Sequence, residues 1–299
     1  MLVISSKPGQ RDDTHTHHPD IAESYLKHIV EQIAIPRHYV AETENNYRVR
    51  EWIRDEFDTL GMQSFYQGKY NNIIATYQGI SVSECKIVIG AHYDSVPGSP
   101  GADDNASAVA GVLAAAKALQ AYTPLPILFV AFNREEDGLL GSEDFVRSIA
   151  SQMDIQAVHI LEMIGFASDR HGSQKVPEGL PVKVSNVGDF IAVIANRHSN
   201  HLIKPLVNLS ERHLPQLPLK ALKVFFGVEK FFPHLSRSDH APFWESDIPA
   251  LMWTDTSEFR NPNYHLPSDT PDTLDYTFMK KVVTLLTLST LDILQKTEN

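Results

Sequence analysis

The sequence has only one cysteine, Cys85, among its 299 residues. An intramolecular disulfide is therefore impossible, and thiolates can supply at most one ligand to a metal ion. No stretch approaches the roughly 20 apolar residues that a membrane-spanning helix needs, and the first twenty residues lack the apolar run of about 7–15 residues of a signal peptide. We therefore expect a cytoplasmic protein with no membrane partner.

Positive charge is also scarce, because 26 Lys and Arg residues face 37 Asp and Glu residues, which gives a formal net charge of −11. This balance argues against a nucleic-acid partner and favours solubility. We find no internal repeat, low-complexity tract or linker, and we predict one domain over residues 20–299 after a flexible tail over residues 1–19. His15, His17 and His18 lie in that tail, where we expect no specific metal site.

Hydrophobic periodicity predicts helices that flank several apolar strands. The predicted helices are Asp20–Ile35, Glu44–Leu60, Ala108–Leu119 and Asp275–Leu294. The predicted strands are Asn72–Tyr77, Lys86–His92, Ile127–Asn133, Ala157–Phe166, Phe190–Asn196 and Ile248–Thr254. This alternation favours a three-layer α/β/α sandwich around a mixed, mostly parallel sheet, with a hairpin-like pair within residues 72–92. The less regular residues 167–233 are expected to supply loops that cover the site.

Acidic and imidazole side chains follow the ends of the predicted strands. His92 and Asp104 lie in the stretch GAHYDSVPGSPGADDNAS, Glu136 follows the next strand, Glu162 lies near the end of a third, and His265 follows a fourth. In an open α/β sheet, the carboxyl ends of the strands form the ligand-binding edge. Two histidines and three carboxylates are a nitrogen and oxygen set suited to zinc, and one carboxylate can bridge two ions.

Further polar residues can support hydrolysis at such a site. Glu135 is the natural general base, because it neighbours a ligand and can take a proton from water. Asp94 can accept a hydrogen bond from the histidine two residues before it and fix its tautomer. Tyr264, Asp239 and His240 are candidates for orienting a substrate or stabilising an oxyanion. Taken singly, each of these residues is more commonly a surface, turn or core residue.

Five separated motifs together resemble the zinc-dependent M28 peptidases. They are GAHYDSVPGSPGADDNAS, FNREEDGLLGS, LEMIG, SDHAPF and YHLPSDTPDTLD, and the resemblance covers roughly residues 73–294. It implies an α/β/α sandwich and an aminopeptidase that uses two zinc ions to remove N-terminal residues from peptides with a free N-terminus. The implied ligands are His92, a bridging Asp104, Glu136 and His265, with Glu135 as the base and Asp94 behind the histidine. A cis peptide bond between Asp104 and Asn105 is implied as well.

One position departs from the M28 pattern. Glu162 stands where the family usually has an aspartate as the fifth ligand. The longer side chain can still reach an ion, or it can leave one site weak. Glutaminyl cyclases share this fold and use one zinc ion, so a glutaminyl-peptide cyclotransferase is the alternative reading. A non-catalytic binding relative is the third, although such relatives normally lose ligands or the base.

Overall fold

The structure, a computed structural model, describes residues 1–7 and 19–297, and in this part of the chain nine segments, most of them rich in apolar and β-branched residues, form strands. The strands are β1 (Leu2–Ser5), β2 (Gln63–Gln67), β3 (Asn72–Thr76), β4 (Ile87–His92), β5 (Ile127–Phe132), β6 (Ala157–Glu162), β7 (Ile191–Ala195), β8 (Leu219–Lys223) and β9 (Ala250–Thr254). They belong to one sheet with the order β1-β8-β7-β9-β6-β4-β5-β3-β2.

The sheet is mixed, as predicted. Its central strands β9, β6, β4 and β5 run parallel to one another, and β3 and β7 join them antiparallel on the two sides. The predicted hairpin-like pair within residues 72–92 is wrong, because β3 pairs with β2 and β5 and not with β4. In the sheet, β5 lies between β3 and β4. Because β4 and β5 are parallel, the chain crosses from one to the other through a helix.

Helices cover both faces of the sheet. They are α1 (Glu23–Ile33), α2 (Thr43–Thr59), α3 (Ala108–Leu119), α4 (Leu140–Ser148), α5 (Ile203–His213), α6 (Ala241–Glu245) and α7 (Tyr276–Thr297). The apolar core on one face includes α1, α2, α3, α5 and α7, and the core on the other face includes α4 and α6. The three-layer α/β/α sandwich is therefore confirmed.

The central strands are buried at every position and mostly apolar, because layers of helices cover both of their faces. In β5, Ile127 and Phe129 pack into the core on one face, whereas Leu128 and Val130 pack into the core on the other. This is the alternation that the pleat of a strand imposes. The carboxyl ends of these rigid strands consequently hold the residues that follow them in fixed positions.

Two predictions for the less regular parts of the chain need correction. Leu2–Ser5 is not part of a flexible tail, because its apolar residues pair antiparallel with the strand Leu219–Lys223. The histidines at positions 15, 17 and 18 lie outside the described residues. The region 167–233 also contains α5 and β8, which we did not predict. In the described residues, we find no helix with the length and apolar character to cross a membrane.

Candidate metal centre

The predicted ligands come together at the carboxyl ends of the central parallel strands. His92 and Glu162 are the last residues of β4 and β6, and Glu136 follows β5. Asp104 lies in the loop between β4 and α3, and His265 lies in the loop after β9, where its φ is +60°. Because these four neighbouring strands are parallel, their carboxyl ends lie at one edge of the sheet. Residues as far apart in the sequence as 92 and 265, a separation of 173 positions, therefore lie close together.

These side chains form two groups joined by Asp104. In the first group, His92 Nε2 lies 3.4 Å from Asp104 Oδ1 and 3.4 Å from Glu162 Oε2. In the second group, His265 Nε2 lies 3.1 Å from Asp104 Oδ2 and 3.5 Å from Glu136 Oε2. Each carboxylate oxygen of Asp104 therefore faces a different histidine, which is the arrangement of a bridging ligand.

The geometry of both groups fits zinc. Two ligand atoms on one tetrahedral zinc ion are about 3.3 Å apart, since each bond is about 2.0–2.1 Å long. The measured separations of 3.1–3.5 Å bracket that value. Buried polar atoms normally have hydrogen-bond partners, yet His92 Nε2 and Glu136 Oε1 have none. A metal ion in the first group would satisfy His92 Nε2, which faces Asp104 and Glu162.

The charges at the site also favour a cation. Burial and the neighbouring carboxylates raise the pKa of Glu135 and of Glu136 well above the usual range. Burial alone would lower the pKa of His92, but Glu135 and Glu162 raise it well above its ordinary value. Carboxylates that hold a proton on a buried imidazole would equally hold a divalent cation, whose charge would keep the carboxylates ionised.

Asp94 holds several of these groups at once. Its Oδ1 lies 3.4 Å from His92 Nδ1, on the side of the ring that faces away from the other ligands. Its two carboxylate oxygens also accept the backbone N–H groups of Glu135 and Glu136, at 3.2 and 3.3 Å. The predicted orienting role for Asp94 is therefore consistent with its position, and Asp94 additionally fixes the Glu135–Glu136 turn.

Three further contacts were not predicted. The Ser238 hydroxyl donates to Glu162 Oε2 at 2.7 Å. The Asp269 carboxylate accepts the backbone N–H groups of Asp103 and Asp104, at 2.9 and 3.1 Å. Ser238 and Asp269 lie within the motifs SDHAPF and YHLPSDTPDTLD, but only the tertiary structure shows what they contact. The peptide bond between Asp104 and Asn105 is cis, as the resemblance implied.

Tyr264 is held beside the second group. Its ring stacks on His265 with 3.7 Å between the ring centroids. Its hydroxyl accepts a hydrogen bond from Arg237 Nη2 at 2.8 Å, and Arg237 also pairs with Glu258. Because the Tyr264 oxygen is the acceptor in that bond, its own proton is available for a third group. The position therefore suits the predicted donor to an oxyanion.

Asp239 and His240 lie behind the site. His240 Nε2 donates to the carbonyl oxygen of Leu235 at 2.8 Å, and its ring packs edge-on against Trp244. Neither Asp239 nor His240 lines the cavity described below. The structure thus does not support direct contact between His240 and a substrate, because its ring is fully buried in this packing. Burial raises the pKa of Asp239 to about 7.

A cavity of about 450 Å³ opens beside the two groups and extends along the sheet. Its walls include Glu135, Glu162, Tyr264 and His265 at one end. The rest is largely apolar and comes from β1, β7, β8, β9, the loop before β7 and the short segments Pro233–Leu235 and Ser257–Phe259, with Val3, Val176, Leu180, Val182, Phe190, Ile194, Leu222, Leu235, Met252 and Phe259. A volume of this size is typical of a small-ligand site.

Known proteins resemble this chain over most of its length. An uncharacterized protein of Escherichia coli (strain K12), YfbL, is 34% identical over 260 residues, which cover 80% of this chain and 78% of YfbL. The aminopeptidase YwaD of Bacillus subtilis (strain 168) is 26% identical over 246 residues, which cover 80% of this chain and 48% of YwaD. This chain thus spans only about half of YwaD.

Solved structures share the fold. The LapA aminopeptidase of Legionella pneumophila has a TM-score of 0.71 at 21% identity, with 92% of this chain and 72% of that chain covered. BSAP, a zinc aminopeptidase from Bacillus subtilis, has a TM-score of 0.54 at 26% identity, with 74% and 49% covered. Porphyromonas gingivalis glutaminyl cyclase has a TM-score of 0.61 at 16% identity, with 91% and 98% covered.

The sequence model for peptidase family M28 matches residues 72–289, which contain all the predicted ligands. That match covers more than half of the chain, and the relative YfbL agrees with it over a similar length. The chain therefore belongs to peptidase family M28.

Proposed function

We propose that the protein is a zinc-dependent aminopeptidase that removes N-terminal residues from peptides. The observation that carries this proposal is the bridging position of Asp104, with one oxygen 3.4 Å from His92 Nε2 and the other 3.1 Å from His265 Nε2. Family membership supports a peptidase, and a donor set of nitrogen and oxygen atoms supports zinc.

Two ions would be held by the two groups already described. His92, Asp104 and Glu162 would hold one, and Asp104, Glu136 and His265 would hold the other. A bound zinc pair polarises the scissile carbonyl and lowers the pKa of water towards neutrality.

The chain's own residues would perform the proton transfers. Glu135 Oε2 lies 4.0 Å from His92 Nε2, so its carboxylate faces the space where water and substrate would meet. It would take the proton of the attacking water and deliver it to the leaving amine. The Tyr264 hydroxyl, positioned by Arg237, would donate to the oxygen that gains negative charge.

The cavity supports an apolar N-terminal side chain as the group that is recognised. The carboxylates at its inner end attract a positively charged α-amino group, and its walls, which are mostly apolar but also include Lys175, Lys220 and Glu258, would bury a large apolar side chain. We therefore expect substrates with a free N-terminus and a residue such as Leu, Met or Phe in first place.

The proposal is tested with a peptide that begins with Leu and with its N-acetylated counterpart. We expect release of free Leu from the first peptide and at least about 100-fold slower release of acetyl-Leu from the second, measured by mass spectrometry. Equal cleavage of both peptides, or cleavage at internal bonds, would refute an aminopeptidase.

A glutaminyl-peptide cyclotransferase is the second candidate, because Glu162 departs from the usual ligand type and glutaminyl cyclases share the fold. It predicts one zinc ion per chain and ammonia release from peptides that begin with Gln. We expect instead that Gln peptides yield free Gln without ammonia. Ammonia release at a rate comparable to Leu release would favour the cyclase.

Ser238→Ala tests whether Glu162 is held as a ligand. The substitution removes the 2.7 Å hydrogen bond to Glu162 Oε2, so we expect the zinc affinity of the group formed by His92, Asp104 and Glu162 to fall about 10-fold, as outer contacts of a metal site typically contribute. A zinc titration in competition with a chromophoric chelator measures it. Ser199→Ala is the matched control, because Ser199 is also buried but bonds to Asn196. An unchanged affinity in Ser238→Ala would show that Glu162 needs no such support.

A further inference from the structure

The junction between α1 and α2 contains a buried arginine that contacts both ends of a metal-site loop. Arg37 is fully buried, and its guanidinium donates to four backbone carbonyl oxygens. These are the oxygens of Ile35 at 3.2 Å, of Tyr93 at 2.5 Å and of Gly101 at 2.9 Å, and that of Pro100. Tyr93 directly follows His92, and Gly101 lies three residues before Asp104, so three of the four acceptors belong to the loop between these two predicted ligands.

Backbone and side-chain contacts around Arg37 reinforce the same loop. The Arg37 N–H donates to the Ser95 hydroxyl at 3.1 Å, and that hydroxyl in turn donates to the carbonyl oxygen of Ser99 at 3.1 Å. Gly101 has a φ of +56°, and a Cβ there would come within 2.2 Å of the carbonyl oxygen of Asp104. The backbone of the loop is therefore closely packed, and the Arg37 side chain lies inside it.

The residues next to Arg37 reach the other metal-site loop. The Asn46 side chain donates to the carbonyl oxygen of Arg37 at 2.9 Å and to Asn133 Oδ1 at 3.0 Å, just before the Glu135–Glu136 turn. His38 Nε2 lies 3.3 Å from Asp137 Oδ1, just after that turn. Residues 37–46 thus contact the loops after β4 and after β5, although they precede the region 72–289 that matches the family.

From these contacts we infer that Arg37 is a positioning residue for the metal centre. Arg37 sets the separation of His92 and Asp104 and thereby the zinc affinity of both groups. This inference rests on the proposed metal site. It assigns a role in metal binding to the N-terminal helices, which carry none of the predicted ligands.

A purely electrostatic role would have the opposite consequence. Burial lowers the pKa of Arg37 to about 10, so the guanidinium is charged at neutral pH, and Asp94, Asp104, Asp269 and Glu136 lie within its field. A fixed positive charge beside a cation site repels the cation. If Arg37 acted only through its charge, its removal would strengthen zinc binding. If Arg37 is a positioning residue, its removal weakens zinc binding.

The test uses Arg37→Lys and Arg37→Met in the full-length protein, stripped of metal and titrated with zinc against a chromophoric chelator. Arg37→Lys keeps the charge but cannot reach four carbonyl oxygens, so we expect both variants to bind zinc about 10–100-fold more weakly, the range for residues that orient metal ligands. Excess zinc should restore turnover of the folded Arg37→Lys protein with KM little changed.

Two controls separate this effect from general destabilisation. Leu206→Ala opens a cavity in the buried face of α5, which packs against β8 and α7, and it should lower the thermal unfolding temperature while leaving zinc affinity unchanged. Ser95→Ala removes one contact of the Arg37 backbone and should also weaken zinc binding, so it tests the inference even if the arginine variants do not fold.

Zinc affinity within about twofold of the unaltered protein in folded Arg37→Lys and Ser95→Ala would overturn the inference. Tighter zinc binding by Arg37→Met would overturn it in favour of the electrostatic role. Because the readout is zinc affinity, these results do not depend on which peptide is cleaved. An unaltered protein that binds no zinc would overturn the proposed function together with the inference.

Discussion

We expect Glu135→Gln to retain its zinc while kcat for a Leu peptide falls by at least about 10²-fold, the scale that general-base catalysis contributes. Glutamine has nearly the same shape as glutamate, but its amide cannot accept the proton of the attacking water. Glu135 is not required by either group of ligands joined by Asp104, so zinc content should stay the same. Elemental analysis and steady-state kinetics on one preparation measure both quantities.

Two further variants make this result specific. Glu143→Gln changes an exposed glutamate in the first turn of α4 and should leave kcat and zinc content unchanged. Glu136→Gln changes the neighbour of Glu135 and should lose zinc as well as activity, because Glu136 belongs to the second group. Near-normal turnover in a zinc-loaded Glu135→Gln protein would exclude Glu135 as the base.

Asp104→Asn should have the second largest effect, because Asp104 is shared by both groups. The amide keeps one oxygen but loses the negative charge and offers a poor ligand on its nitrogen side. We expect zinc affinity to fall by at least about 100-fold, beyond what outer contacts of a metal site contribute, and activity to be lost at micromolar zinc.

Thermal unfolding gives a second readout for Asp104→Asn. A ligand present at about 1,000 times its Kd stabilises the folded state by about 4.1 kcal/mol. The unaltered protein should therefore unfold at a markedly higher temperature with zinc, and the variant should lose most of that difference. Asp272→Asn, at an exposed aspartate, is the control. A variant that keeps the full zinc-dependent stabilisation would contradict a bridging role.

The sequence predicted the central part of the sheet because its signals are local. Ile127–Phe132 is a continuous apolar run and Ala157–Glu162 is mostly apolar, as strands buried on both faces require, and acidic residues lie at or shortly after the end of each. The position of the candidate site follows from that pattern and from the edge at which parallel strands end. Which residues bind metal stays a prediction that the variants above test.

Pairing partners and supporting residues were not predictable in the same way. β3 was assigned to the wrong neighbour because strand pairing depends on contacts between distant segments. Ser238 and Arg37 resemble ordinary polar residues in the sequence, and only the fold shows that one bonds to Glu162 and the other spans the loop after β4. His240 was chosen for its chemistry, but its ring is bonded and packed in the interior.

The most direct test of the account is the turnover of a Leu peptide as zinc is added stepwise to the metal-free protein. The two groups that share Asp104 predict that turnover rises until two zinc ions are bound per chain, with free Leu as the product. A plateau at one ion per chain, or full turnover without zinc, would contradict the two-ion aminopeptidase.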